Sequence, residues 1–82
     1  INSILNMGGY LLQNSKEEYL KTLDTAEGKI EFTKEPSEAR NYSGRPGGGQ
    51  WDAENEKQYL DFHFGEEYGE RVTSLHCVYR EW

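Results

Sequence analysis

Residues 58–64 read Gln58-Tyr59-Leu60-Asp61-Phe62-His63-Phe64, and the way this run folds decides the architecture of the chain. Taken at period two, Leu60, Phe62 and Phe64 point one way and Tyr59, Asp61 and His63 the other. That is the pattern of a half-buried strand, and it predicts the best strand of the chain. Just upstream, Asp52-Ala53-Glu54-Asn55-Glu56 would make one helical turn capped by Asp52. Downstream, Gly65 to Gly69 reads as a Glu-rich hairpin loop. Val72 to Trp82 then returns as a strand, with Thr73, Leu75, Cys77 and Tyr79 on one face.

Gly44 to Gln50, GRPGGGQ, is the main irregular segment, because three consecutive glycines lose much entropy on ordering. Residues 44–57 are therefore expected as a flexible Gly-rich loop within a single domain spanning 1–82. Pro36 suits the first turn of a helix, and Ser37 to Tyr42 would add one to two turns, with Ala39 and Tyr42 facing inward. Lys29 to Thr33 alternates polar and apolar after the turn Asp24–Gly28. Tyr10–Gln13 and Glu18–Leu23 form a hairpin around Asn14-Ser15-Lys16; a helix across 10–23 with Leu12, Tyr19 and Leu23 on one face is the rival. Ile1, Ile4 and Leu5 have helical spacing, but seven residues make a marginal helix. The expected fold is α+β: a small curled antiparallel sheet of about five strands with one short helix.

At 82 residues the chain should bury only roughly 60–65% of its unfolded surface. Aromatics at 13% argue against disorder, so a thin core rich in Tyr, Phe and Trp is expected. A net charge of −6 disfavours direct nucleic-acid binding and anionic membrane surfaces, and suits a partner protein with a basic surface. The same charge also serves plain solubility. The lone Cys77 allows no intrachain disulfide, and Ile1–Met7 lacks a signal peptide's charged start. A cytoplasmic location is expected.

Tyr19-Leu20, Ile30-Glu31-Phe32-Thr33 and Ser37-Glu38-Ala39-Arg40-Asn41-Tyr42 together resemble a pattern in small uncharacterised phage and prophage accessory proteins of Gram-positive bacteria. The resemblance covers residues 10–43. It implies a small accessory protein of a mobile element, made in the bacterial cytoplasm, of a kind that includes inhibitors of host defence such as anti-CRISPR proteins. No functional residue is carried over, because the shared positions are core types.

Two acidic groups stand out: Asp52, Glu54 and Glu56, and Glu66, Glu67 and Glu70. Placed side by side they would mimic the phosphate run of DNA and fill an Arg- and Lys-lined channel. The plainer reading is a solvated face. Arg45 and Trp51 flank the glycine loop and are interface-enriched types, so they complete the expected partner-binding set. His63, His76 and Cys77 are the soft metal ligands, but His76 and Cys77 point to opposite strand faces, so no metal site is expected. No cofactor and no catalytic residue is expected either, since Cys77 looks core-facing and the domain is small for a substrate pocket. The leading expectation is a DNA-mimicking inhibitor of a host protein, a CRISPR-Cas nuclease being one candidate. The alternative is an oligomeric module that sequesters a nucleotide signal through Arg45 and the glycines. A self-assembling structural component comes third. Monomer and small homo-oligomer both remain open.

Overall fold

The computed structural model describes residues 8–44 and 48–82. The expected helical spacing of Ile1, Ile4 and Leu5 lies outside the described residues, as does Arg45. Three strands come first: β1 (Gly8–Gln13), β2 (Tyr19–Asp24) and β3 (Lys29–Thr33). A single 3-10 turn at Pro36–Glu38 follows, then helix α1 (Gly49–Tyr68), the short helix α2 (Glu70–Thr73) and strand β4 (His76–Glu81). The sheet is antiparallel, four-stranded and ordered β3-β2-β1-β4. It is open and not curled. Among the described residues no helix is long and apolar enough to cross a membrane.

The hairpins formed where turn chemistry and alternation agreed. Asn14 closes the first turn: its Oδ1 accepts from the backbone N–H of Lys16 and of Glu18, each at 3.0 Å. In β2–β3, Leu20 lies opposite Phe32 and Thr22 opposite Glu31, so Lys21 is the extra residue of a β-bulge. The bulge shifts the side-chain alternation by one. Leu23 thereby joins Leu20 on the inner face, with Phe32 and Ile30 opposite them.

The strand expected at Gln58–Phe64 is the middle of α1. In helical geometry Ala53 and Leu60 fall on one face, with Phe64 and Tyr68 beside them. Ala53 and Leu60 are fully buried against Leu12, Leu20, Tyr42, Val72 and Leu75, and Phe64 and Tyr68 pack on the margin. The flanks hold Glu54, Glu56, Lys57, Gln58, Glu66 and Glu67, which are good helix formers. Asp52 does not cap a turn; its own N–H already donates to Gly48 O at 3.1 Å. The segment 44–57, expected as a loop, is helical from Gly49 onward. Gly49 is required by space, because a Cβ there would sit 2.8 Å from the Tyr42 carbonyl and 2.9 Å from the Tyr10 ring.

The expected hairpin loop at 65–69 is the last turn of α1, which Gly69 ends with a φ of 59°. Val72 and Thr73 belong to α2, so the last strand is shorter than the expected 72–82. It pairs with β1, from Gly8↔Glu81 to Gln13↔His76. The helix expected over 37–42 is limited to Pro36–Glu38. Beyond it the chain extends and bridges β2 to β1: Arg40 N–H donates to Leu20 O and Tyr42 N–H to Tyr10 O, both at 2.9 Å. This explains why β1 and β2 are registered only at Gln13↔Tyr19.

Candidate partner-binding surface

Twenty residues make α1 about 30 Å long. It carries six carboxylates (Asp52, Glu54, Glu56, Asp61, Glu66, Glu67) and a single lysine, Lys57. Among the described residues only Glu56 of these six has an ion pair. Its Oε1 accepts from Arg40 Nε at 2.6 Å and its Oε2 from Arg40 Nη2 at 3.2 Å. The hydroxyl of the fully buried Tyr42 also donates to Oε1. Burial, reinforced by that carboxylate, holds the Tyr42 phenol well above its ordinary range. Glu56 is therefore the clamp between α1 and the bridging segment, and its oxygens are committed inside the fold.

Glu70 is also engaged internally. Its Oε1 accepts from Ser15 Oγ at 3.0 Å, and the Ser15 backbone N–H donates to Ser74 Oγ at 2.8 Å. Arg71 forks onto Glu18 at 3.0 and 3.1 Å and lies 4.4 Å above the Phe32 ring. Asn14, 2% exposed, donates to Glu18 Oε1 and to Arg71 O, both at 3.1 Å. These bonds staple α2 to the first hairpin turn. Hydrogen bonds from Arg71, then Asn14, lower the Glu18 carboxyl below its usual value.

The two acidic groups do not merge. Asp52 and Glu66 are fourteen residues apart along one helix, about 21 Å. What α1 does bring together is an outward stripe. Trp51, Asn55, Gln58 and Phe62 follow helical spacing and are all exposed, Trp51 at 63% and Phe62 at 85%. Tyr59 lies beside them, its ring 4.3 Å from His63, which meets Phe62 edge-on at 4.9 Å. Phe62, Tyr59 and His63 are candidate surface residues that the strand assignment concealed. An i, i+3, i+4 reading of the same seven residues would have found them.

Trp51 stands between two open clefts. One, of about 590 Å³, is lined by Leu23, Thr25, Trp51, Asp52, Asn55, Glu56 and Tyr59. The other, of about 640 Å³, is lined by Tyr10, Gly48, Gly49, Gln50, Trp51 and Glu54. Asp52 and Glu54 thus flank Trp51 on its two sides, while Glu66 and Glu67 are exposed at the far end of the helix. No group of three metal-ligating side chains occurs among the described residues. Burial, with Glu54 adding repulsion, raises the Cys77 thiol above its ordinary range and so keeps it protonated. Comparison with protein-family models, curated proteins and solved structures gives no match for this chain.

Proposed function

We propose that this protein works by binding, and that the outer face of α1 docks on a basic surface of a host protein and blocks it. The observation that carries this reading is the exposure of Trp51 and Phe62 on a helix whose other carboxylates, Glu56 aside, have no ion-pair partner among the described residues. Stability does not account for this arrangement. Phe62 adds nothing to the core, and Glu66 and Glu67 occupy the end of α1, where the helix dipole disfavours anions and no basic residue offsets them. Such local conflicts mark functional surfaces. Exposed aromatics supply the anchoring typical of interface hot spots, and the carboxylates supply steering and register.

A host protein that handles nucleic acid is the target class this charge fits, with carboxylates standing where phosphates would lie. The resemblance of residues 10–43 to phage accessory proteins favours a bacterial host and a defence nuclease. The nucleotide-sequestering alternative is less favoured, because the described residues that line the cleft at Gly48 and Gly49 include Glu54 and no cation.

The test is capture of a partner from nuclease-treated Gram-positive lysate, followed by binding with purified components. Phe62→Ala should weaken binding roughly thirtyfold as a hot spot. Glu66→Lys with Glu67→Lys should slow association and flatten the salt dependence. Binding that survives all three substitutions in folded protein refutes the reading.

A further inference from the structure

We propose that the cleft between the β2–β3 turn and the first turns of α1 is an arginine subsite, which takes one guanidinium side chain of the partner protein. The inference rests on the binding function proposed above and names the chemistry at one point of that face. The cleft is lined by Leu23 and Thr25 from the hairpin and by Trp51, Asp52, Asn55 and Tyr59 from α1. At about 590 Å³ it falls within the range of side-chain and small-ligand sites.

Three features select the occupant. The indole of Trp51 is 63% exposed, and Trp is the best face for a cation. The carboxylate of Asp52, its chain neighbour, has no hydrogen-bond or ion-pair partner among the described residues, whereas that of Glu56 in the same cleft is held by Arg40 and Tyr42. Asn55 adds a neutral acceptor one turn on. A planar, weakly hydrated cation that stacks and donates from a fork matches an indole beside a carboxylate; a lysine ammonium matches only the charge. Phosphate and carboxylate ligands are excluded by the sign of the site. Trp51 and Asp52 lie in the first turn of α1, where the helix dipole opposes a cation and the Asp52 carboxylate offsets it; the cleft continues to Tyr59, 39% exposed, two turns further, where the dipole has faded.

The experiment measures anisotropy of fluorescein-labelled nona-arginine and nona-lysine peptides at low salt, with folding of each variant checked by circular dichroism. The arginine peptide should bind several-fold tighter than the lysine peptide of equal charge. Trp51→Leu and Asp52→Asn should each abolish that preference, weakening the arginine peptide roughly tenfold. Glu66→Gln with Glu67→Gln should weaken both peptides alike. Equal affinity for the two peptides, or a preference that survives both cleft variants, overturns the subsite and leaves the acidic docking face standing. Free arginine methyl ester binding as tightly as the peptide overturns the assignment to a partner's side chain. Failure of both peptides to bind at low salt overturns the subsite and the docking face together.

Discussion

Replacing Glu56 by Ala tests the assignment of this carboxylate to the fold instead of to the partner. The substitution removes the acceptor of the Tyr42 hydroxyl, on a side chain with 0% exposure, at a cost of about 1–3 kcal/mol. It also removes both acceptors of the Arg40 fork. The side chains of that pair are 28% and 18% exposed, so its loss falls between the about 0–1 kcal/mol of a surface pair and the about 3–5 kcal/mol of a buried one. About 1–2 kcal/mol is reasonable after screening by solvent. The sum centres on about 3.5 kcal/mol. For a domain of this size each kcal/mol moves the thermal midpoint by about 4–8 °C, so a fall of about 14–28 °C is expected. Thermal melts followed by far-UV circular dichroism would measure it, with Glu66→Ala as a control expected within about 0.5 kcal/mol of the parent. A double-mutant cycle with Tyr42→Phe should show coupling, because the two side chains share a bond. A Glu56→Ala protein that melts within about 3 °C of the parent would refute the clamp and return Glu56 to the pool of surface charges.

Further outcomes follow from the same contacts. Asn14→Ala should destabilise by about 2–4 kcal/mol in urea unfolding, since it strips partners from two turn amides and from the part-buried Arg71 carbonyl at once. Glu18 has a folded value depressed below 4.5, so its stabilisation is present above that pH and disappears as pH falls through the folded value. Acid titrations of the midpoint should show this loss, and Arg71→Ala should flatten it. Tyr42 has a folded value raised above 10.0, so its contribution is intact below that pH and is lost as pH rises toward the folded value. Ultraviolet titration should find one tyrosine that ionises only with alkaline unfolding. Glu67→Lys should raise stability by about 0.3–1 kcal/mol at low salt through the helix dipole, while weakening partner binding.

The hairpin half of the molecule was legible because its signals agreed. Asn14 and Asp24 opened turns, Gly28 closed one, and Ile30 and Phe32 alternated with charged neighbours. The helical half was concealed by its own outer surface. An ordinary amphipathic helix alternates buried and polar faces, but α1 places Trp51, Tyr59 and Phe62 outside and Ala53 and Leu60 inside. Apolar residues on both sides erase the 3.6-residue period, and the aromatic run 58–64 then fits a period of two. Buried Leu60 and exposed Phe62 are two residues apart, so a strand reading had to put them on one face. The acidic candidates were found by composition, but composition could not separate Glu56 and Glu70, which the fold uses, from Asp52, Glu54, Glu66 and Glu67. That distinction depends on Arg40 and Ser15, which come from distant parts of the chain. The lysine bulge in β2 was equally silent, because it is set by the partner strand.

The pairing of β1 with β4 has a consequence for synthesis. Leu11 and Leu12 are fully buried in the finished sheet, yet the strand that flanks them on one side is separated from them by roughly sixty residues of chain. On its other side β1 has one registered pair with β2 and otherwise depends on Asn41, Tyr42 and Ser43. A nascent chain leaving the ribosome at about 5–20 residues per second would therefore carry an unpaired, leucine-bearing strand for several seconds before residues 76–81 were available. The β2–β3 hairpin can form on the way out, but the sheet can close only after the last strand emerges. Completion of the sheet therefore waits for residues 76–81, and a chain stalled before His76 would present β1 to chaperones.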